Sequence, residues 1–557
     1  MTLTGTNKIV LEDILFGDVW VCSGQSNMEL SFERLKYKYA GEVATVNNNF
    51  IRQFLVPDKY DFNQPANDLQ TGEWLTANTK NIFSFSGVAY FFAKEIFAKL
   101  KVPIGLINAA VGGSPAEAWI SEDGLKKFPQ SYDEAKKYRD NALITEVEAK
   151  DQEKSNAWYK LLHEKDLGLQ GHWKSNEFVD SAWAEMKLPG YWADQGFGAS
   201  NGVFWFRKII TVPASIVGKP AKLELGRIVD ADSVFINEHF VGNTTYQYPP
   251  RRYAIAPGIL KEGKNILVIR LVNNSGRGGF VPDKHYELTT PHDTILLAGQ
   301  WKFKEGATMS PAPGQTFVRW KPLGLYNAMI APLQRYAIKG VLWYQGESNA
   351  GKPENYQQLM QTLIEDWRTA WSMQVKNFPF LYVQLPNFME QKKVPAESSW
   401  AVLRQQQLNT LSVPNTAMAV TIDAGEWNDI HPEDKETVGH RLALLARKNV
   451  YNEQKLVASG PLYKGMRVER NKIILQFSNV GSGLAVRGNG NLKYFAIAGA
   501  DKKFVWALAK INGSAVEVWN TNIEKPMYVR YAWADNPSEA NLINKEGLPA
   551  SPFSTEK

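Results

Sequence analysis

The chain has 557 residues, which at roughly 150 residues per domain predicts three or four domains. A composition of 44% hydrophobic and 22% charged residues is typical of a globular protein and excludes disordered and fibrous classes. The single cysteine, Cys22, excludes an internal disulfide and any zinc or iron–sulfur site built from cysteines. The net charge of +6 is small for this length and long like-charged runs are absent, so we expect no nucleic-acid partner.

No stretch reaches the roughly 18 uninterrupted apolar residues of a membrane span, so no membrane partner is expected either. The opening residues lack the basic and apolar regions of a signal peptide, which indicates a cytoplasmic protein or a natural start elsewhere. The 18 Trp, 22 Tyr and 27 Phe have two explanations. Composition alone favours aromatic-rich β cores over contact with sugar rings.

The first part of the chain alternates between predicted strands and helices. Residues 19–22 form a short apolar run that ends at Gly24, and residues 103–108 form a second buried run. Between them, apolar residues recur at helical spacing at Val88, Phe91, Phe92, Ile96 and Leu100. Strand, helix and strand in this order predict a parallel sheet with crossover helices.

From about residue 168 to residue 301 the pattern changes to short strands separated by Gly, Asn and Pro turns, which predicts an antiparallel sandwich. Strands are then expected at residues 340–344, 378–384 and 417–422, with helices at 353–371 and 432–448. Strands follow again from residue 461. The simplest account is one α/β domain interrupted by an inserted β-sandwich and followed by a third, β-rich domain.

The most specific local pattern is Gly24-Gln25-Ser26, where a predicted strand ends and a helix begins. A hydroxyl at this point lies at the carboxyl edge of the sheet, where α/β proteins bind ligands. Backbone N–H groups at the helix start would also suit a developing oxyanion. The alternative is that Ser26 only caps the helix.

A serine nucleophile needs a base, and only His431 and His440 of the seven histidines belong to the predicted α/β domain. His440 falls within a helix, whereas His431 lies in a polar loop after a strand, where a catalytic base is expected. Asp429 could orient the imidazole ring. Alternatively, Asp429 could cap the next helix and leave His431 an ordinary loop residue.

Two further polar loops follow predicted strands. Residues 108–114 include Gly112 and Gly113, whose backbone N–H groups can approach a substrate closely. Residues 343–349 offer the side-chain amides of Gln345 and Asn349. In each loop alone, these residues could be present only because they favour a tight turn. Four such loops at four strand ends together indicate a catalytic site.

Three motifs resemble those of a known family: Gly-Gln-Ser-Asn-Met at 24–28, Trp-Tyr-Gln-Gly-Glu-Ser-Asn at 343–349 and Asp-Ile-His-Pro at 429–432. In this order they resemble the SGNH hydrolases and, among these, bacterial sialate O-acetylesterases and related carbohydrate acetylesterases. The resemblance implies an α/β fold, with a three-layer parallel-sheet hydrolase domain, an inserted galactose-binding-like β-sandwich and a C-terminal β domain. The implied boundaries are 1–164 and 306–455 for the hydrolase domain, 165–305 for the sandwich and 456–557 for the last domain.

The resemblance also implies roles for individual residues. Ser26 would be the nucleophile and His431 the general base, and no metal or cofactor is required. The backbone N–H groups of Ser26 and of Gly113, or Gly112, would form two arms of an oxyanion hole. The third arm would be the amide of Gln345, with Asn349 as second choice. Supporting positions are implied for Gln25, Asn27, Gly112, Glu347, Asn349 and Asn428.

The chain departs from the family pattern at the acid. The family acid normally lies three residues before the histidine, where this chain has Asn428, and the acid present is Asp429. Either Asp429 reaches the ring through a different loop geometry, which we favour, or a backbone carbonyl orients His431 in a Ser–His dyad. The usual Gly-Asp-Ser is Gly24-Gln25-Ser26 here, as expected for the acetylesterase branch.

The implied function is a serine esterase that removes O-acetyl groups from sugars, with O-acetylated sialic acids as the first candidate substrate. The alternatives are an acetylesterase for xylan or another acetylated glycan, and a non-catalytic carbohydrate-binding protein. Residues 1–15 resemble the last strand of a leading β domain that relatives carry, so the resemblance implies a shortened start and a periplasmic or secreted protein. The sequence predicts no oligomeric state.

Overall fold

The computed structural model describes residues 1–373 and 377–556 and divides the chain into two compact units. The first unit comprises Met1–Asn141 and Phe317–Lys557, and the second comprises Ala142–Thr316. The second unit interrupts the first in the chain and includes all of residues 165–305. The domain boundaries inferred from the sequence stay predictions.

A seven-stranded sheet forms the centre of the first unit. Its strands are β1 (Asp18–Gly24), β2 (Asn47–Leu55), β3 (Trp74–Asn78), β4 (Ile104–Ala110), β5 (Gly340–Tyr344), β6 (Phe380–Val383) and β7 (Thr416–Ala419). In space they follow the order β7-β6-β5-β1-β4-β2-β3. All neighbours are parallel except β2 and β3, which pair antiparallel at one edge. The sheet is therefore mixed rather than purely parallel.

The central strands are buried because they are almost continuous apolar runs, as expected of parallel strands covered on both faces. The helices of this unit that bear on the site are α1 (Ser26–Glu29), a single turn, and the longer α2 (Gly87–Leu100), α3 (Tyr356–Ala370), α4 (Ser399–Asn409) and α5 (Lys435–Asn449). Further helices are Phe32–Leu35, Ala40–Thr45, Glu122–Leu125 and Pro129–Lys137.

Side chains define where two of these helices begin. The Ser86 hydroxyl accepts a hydrogen bond from the Ala89 amide at 3.2 Å at the start of α2. The Asp434 carboxylate accepts one from the Thr437 amide at 3.1 Å, so α5 begins at Lys435 and not at Pro432, where the sequence pattern places it. The cap of this helix is thus Asp434 and not Asp429.

The second unit is built mainly from antiparallel strands that follow the helices Asn141–Lys165 and Leu167–Gln170. Its six-stranded sheet has the spatial order His239–Thr244, Ala231–Ile236, Gly263–Asn273, Asn201–Val212, Gly299–Met309, Ala184–Leu188. A four-stranded sheet has the order Arg252–Ile255, Ala221–Leu225, Tyr286–Thr289, Thr294–Leu296. Leu223 and Leu288 of the smaller sheet share one buried core with Phe206 and Ile269 of the larger sheet, which makes a β-sandwich. Its likeness to galactose-binding domains stays a prediction.

The C-terminal region adds further β structure to the first unit. One four-stranded sheet contains Leu462–Glu469, Lys472–Ser478, Ala515–Trp519 and Leu508–Asn512, and another contains Val505–Trp506, Phe495–Ala498, Tyr528–Tyr531 and Phe553–Ser554. Leu484–Val486 pairs with Leu542–Asn544. Leu475 and Phe553 belong to the same hydrophobic core as Trp20 of β1. Within the described residues, every helix is too short or too polar to cross a membrane.

Candidate active site

Ser26 lies at the carboxyl edge of the central sheet, two residues after the end of β1. The turn needs glycine at position 24, where φ is +131° and a Cβ would lie 2.1 Å from the carbonyl oxygen of Tyr344. Gln25 occupies the N-cap position of α1 without a side-chain cap bond. Ser26 is therefore not the cap of this helix.

The hydroxyl of Ser26 pairs with the imidazole of His431, which lies 405 residues further along the chain. Ser26 Oγ and His431 Nε2 lie 2.8 Å apart, which is hydrogen-bond distance. His431 follows β7 in a loop before α5 and is 8% exposed. This geometry lets the imidazole accept the serine proton.

Asp429 lies beside the same imidazole and also binds the backbone of the loop. Its Oδ1 accepts the His431 backbone N–H at 2.8 Å and lies 3.9 Å from His431 Nδ1. Its Oδ2 lies 3.3 Å from Arg34 Nη2, and the residue is 3% exposed. Asn428 is half-buried in the same loop. The structure thus brings the carboxylate of Asp429 near the ring at a distance longer than a hydrogen bond.

Both candidate amides of the third loop are engaged with the protein. Gln345 is fully buried, its Nε2 donates to Asn349 Oδ1 at 2.7 Å and to the Ser114 carbonyl at 3.3 Å, and its Oε1 accepts from the Tyr356 hydroxyl. Asn349 Nδ2 donates to Glu117 Oε2 at 2.9 Å. Gln345 therefore fixes the orientation of Asn349, which lies nearer the surface.

The two glycines after β4 are held through their carbonyl groups. Trp320 donates its indole N–H to the Gly112 carbonyl at 2.8 Å, and Ser348 donates its hydroxyl to the Gly113 carbonyl at 2.8 Å. Because the peptide unit is planar, fixing the Gly112 carbonyl also fixes the direction of the Gly113 N–H. Gly113 has φ of +77°, and a Cβ there would lie 2.1 Å from the Trp320 ring.

Asn27 connects the three motif loops. Its Nδ2 donates to Glu347 Oε1 at 2.5 Å and to the Ile430 carbonyl at 3.0 Å. Lys435 donates from Nζ to Asn27 Oδ1 at 2.5 Å. Gln25 adds a second link, because its Oε1 accepts the backbone N–H groups of Gly346 and Ser348. Of the supporting residues predicted from the sequence, Gln25, Asn27 and Glu347 thus hold these loops together by hydrogen bonds.

Lys435 is the member of this network that sequence reasoning missed. It is fully buried, and burial lowers its pKa to about 7, while the nearby carboxylate of Glu347 opposes that change. Burial also raises the pKa of Glu347. A signal was present in the sequence, because a lysine at the first position of a helix opposes the positive end of the helix dipole.

Arg34 and Trp320 were missed as well. Arg34 contacts Asp429 from the helix Phe32–Leu35, and Trp320 reaches Gly112 from a position 208 residues further along the chain. Neither residue lies in one of the four strand-end loops. Only the folded arrangement brings them to the site.

Comparisons with known proteins show the family to which the chain belongs. The model of the carbohydrate esterase, sialic acid-specific acetylesterase family matches residues 16–159 and 309–448, just over half of the chain. These segments contain Ser26, Gly113, Gln345 and His431.

The chain is similar to proteins named as sialate or carbohydrate acetylesterases. The sialate O-acetylesterases of Mus musculus and Homo sapiens are 33% and 31% identical to this chain over 253 residues, which is 41% of it. Those matches cover 46% and 48% of the two relatives, so the chain spans about half the length of the curated relatives it matches. The crystal structure of a carbohydrate acetylesterase from Xanthomonas citri covers 99% of this chain and 83% of its own, with a TM-score of 0.61 and 29% identity. With the family match, the fold and the three motifs in place, the chain belongs to the carbohydrate esterase family of sialic acid-specific acetylesterases.

Proposed function

We propose that this protein is a serine esterase that removes O-acetyl groups from sugars through an acetyl-enzyme intermediate. The observation that carries the proposal is the 2.8 Å contact between Ser26 Oγ and His431 Nε2 at the carboxyl edge of the sheet. The family match supports a sugar ester as the class of substrate.

In the first half of the reaction, His431 Nε2 takes the Ser26 proton while Oγ attacks the acetyl carbonyl carbon. The bond between that carbon and the sugar oxygen then breaks, and His431 returns the proton to the sugar oxygen. In the second half, His431 takes a proton from water, which attacks the acetyl-serine. Acetate leaves, and Ser26 Oγ recovers its proton.

The tetrahedral intermediate of each half carries a negative oxygen that needs hydrogen-bond donors. We assign two of them to the backbone N–H groups of Ser26 and Gly113, because Trp320 holds the peptide between Gly112 and Gly113 in place. For the third donor we prefer Asn349 to Gln345. Gln345 already directs its amide to two protein acceptors, so it acts as the residue that positions Asn349.

Asp429 is the proposed orienting acid. Its carboxylate fixes the loop through the His431 backbone N–H and lies 3.9 Å from Nδ1, so a small rotation of the ring brings the two into hydrogen-bond contact. Catalytic hydrogen bonds are often long without substrate and tighten in the complex. The alternative remains a Ser–His dyad.

Judged by the names of the curated relatives alone, which are sialate O-acetylesterases, O-acetylated sialic acids are the first candidate substrate. Acetylated xylan or another acetylated glycan is the second, since the similar Xanthomonas citri protein is called a carbohydrate acetylesterase. We infer a periplasmic or secreted place of action, because the motifs resemble those of exported bacterial esterases.

The test is acetate release from 9-O-acetylated sialic acid and from acetylated xylan, with Ser26→Ala and His431→Ala as the matched variants. We expect release by the wild type from at least one substrate and almost none by either variant. No release from either substrate would instead favour a non-catalytic carbohydrate-binding protein. Equal release by Ser26→Ala would exclude the serine mechanism.

A further inference from the structure

A pair of stacked aromatic rings borders the proposed oxyanion site. The rings of Phe317 and Trp320 have centroids 3.9 Å apart and planes inclined by 27°. Trp320 donates a hydrogen bond to the Gly112 carbonyl. Its ring occupies the space that a side chain at position 113 would need. The stack is thus fixed against the backbone that is proposed to bind the substrate carbonyl.

The outer ring of this stack faces solvent. Phe317 is 41% exposed, whereas most large aromatic residues of this unit are buried in its core. An aromatic face carries partial negative charge, so it attracts the polarised C–H groups on the flat side of a pyranose ring. An exposed aromatic stack beside a nucleophile therefore has the chemistry of a sugar-ring platform.

A carboxylate lies on the other side of the same backbone. A Cβ built on Gly112 would lie 2.9 Å from Glu29 Oε2 and 3.5 Å from Ser26 Cβ, so Glu29 borders the nucleophile. Carboxylate oxygens accept hydrogen bonds from sugar hydroxyls. Burial raises the pKa of Glu29, and its charged neighbours Asp58 and Arg319 form an ion pair with each other at 3.2 Å.

We propose that Phe317, Trp320 and Glu29 form a subsite for an uncharged pyranose ring that carries its acetyl group on a ring carbon. Gly113 lies against Trp320 of the stack, and Gly112 lies beside the nucleophile Ser26. The Cα atoms of these two neighbouring glycines are about 3.8 Å apart, so the stack and the nucleophile are close together. A ring held on the stack therefore presents its own ester oxygens to Ser26. An acetyl group at the end of an exocyclic chain would keep its ring away from the stack.

This inference rests on the proposed function, and its test uses substrate selectivity. The substrates are an acetylated methyl xylopyranoside, 9-O-acetylated sialic acid and 4-nitrophenyl acetate, which has no sugar ring. For Phe317→Ala, the ratio of kcat/KM on the xylopyranoside to that on 4-nitrophenyl acetate should fall about three- to tenfold through a higher KM. Glu29→Gln should lower the same ratio, because it weakens the acceptor of the sugar hydroxyls.

The matched control is Phe16→Ala. Phe16 is 84% exposed and precedes β1, at the opposite end of that strand from Ser26, so this variant should leave the ratio unchanged. Trp320 is not substituted, because it also holds the Gly112 carbonyl. Wild type should also prefer the xylopyranoside to the sialic acid, and the reverse preference would overturn the proposal.

The two proposals fail in different ways. If the wild type releases acetate from sugars and Phe317→Ala leaves the ratio unchanged, the subsite is refuted and the esterase function stands. If the wild type releases acetate from no sugar, the esterase function fails, and calorimetry with Ser26→Ala and the xylopyranoside decides the subsite. Binding that is lost on adding Phe317→Ala supports the subsite, whereas equal or absent binding in both proteins overturns it.

Discussion

At the scale of single residues, the candidate site depends on buried side chains that each hold another in place. Asn27 links the loops that carry Ser26, Glu347 and His431, and Gln345 orients Asn349. Amides at such positions have donors and acceptors in fixed directions, so a lost partner leaves a buried polar group unsatisfied. Substitutions here should therefore affect catalysis more than substrate binding.

Removing the third oxyanion donor tests the preference for Asn349. Asn349→Ala should lower kcat by about a hundred- to a thousandfold with little change in KM, because the donor acts on the developing oxyanion. Gln345→Ala should lower kcat less, since it acts through Asn349. Steady-state kinetics on one acetyl ester measure both, and a larger loss in Gln345→Ala would return the role to Gln345.

The choice between triad and dyad depends on the charge of Asp429. Asp429→Asn keeps an oxygen for the His431 backbone N–H but removes the negative charge, so kcat should fall by about a hundredfold or more. Asn428→Ala is the neighbouring control and should stay close to wild type. The reverse order of effects would exclude Asp429 as the orienting acid.

Residue types at strand ends were enough to select Ser26, His431, the two glycines and the two amides as candidates, and the structure brings Ser26 and His431 together. The sequence could not place Trp320 on Gly112, because nothing local marks a contact across 208 residues. It also could not rank Gln345 against Asn349. That ranking depends on which acceptors surround each amide, and only the packed structure contains this information.

At the scale of elements, the turn between β1 and α1 places the nucleophile. Gly24→Ala would put a Cβ 2.1 Å from the Tyr344 carbonyl oxygen at a positive φ, so the turn must distort. We expect a loss of about 2 kcal/mol or more in the free energy of unfolding, together with a loss of activity. Gly41→Ala is the control, because a Cβ there meets nothing within 4 Å, and both properties should be kept. Denaturant unfolding and kinetics check this prediction, and a stable, active Gly24→Ala would contradict it.

The start of α5 contains a buried lysine, which makes stability depend on pH. The pKa of Lys435 is about 7 in the folded protein, against an ordinary value of about 10.4 in the unfolded chain. Between these values only the unfolded chain binds the proton, so the contribution of Lys435 to stability increases as the pH rises. Below about pH 7 both states are protonated and the cost of the buried charge is complete.

Lys435→Met removes this titration. The Tm of the wild type minus that of Lys435→Met should increase from about pH 7 to about pH 9. Charges that face Lys435, those of Glu347, Asp429, Glu426 and Arg34, stay in both proteins. Lys80→Met, at an exposed lysine, should show a Tm difference that does not change with pH. A pH-independent difference for Lys435→Met would contradict the assignment.

The elements that the sequence missed are β2 and β3. β2 begins with three asparagines, which are rare in strands, and only Ile51 and Gln53 of it are buried. Its pairing with β3 also contains an irregularity between Asn48 and Arg52. A strand with so few apolar residues has no period that a sequence can show, whereas β1, β4 and β5 are mostly apolar.

At the scale of the whole molecule, the single cysteine reports on the integrity of the first unit. Cys22 is fully buried in β1, four residues before Ser26, and burial raises the pKa of its thiol. The native protein should therefore react with a thiol reagent only through opening of the core. The reaction rate should follow unfolding as denaturant is added, and fast labelling of active native enzyme would contradict the buried placement.

The order of α/β, inserted β and C-terminal β segments follows from the hydrophobic period of the sequence. The period does not show that residues after 461 pack into the same core as the central sheet, as Leu475 and Phe553 do. Tertiary packing between segments distant in sequence decides that point. The same holds for the aromatic excess, most of which lies in the cores, while Phe317 remains exposed.

The central claim, that Ser26 attacks the acetyl group, is tested most directly by trapping the intermediate. Wild-type enzyme is mixed with an acetylated sugar that it hydrolyses, quenched in acid within one turnover, digested and analysed by mass spectrometry. We predict one added acetyl group on the peptide that contains Ser26, and none in Ser26→Ala. Acetylation at another residue, or unchanged acetate release by Ser26→Ala, would contradict it.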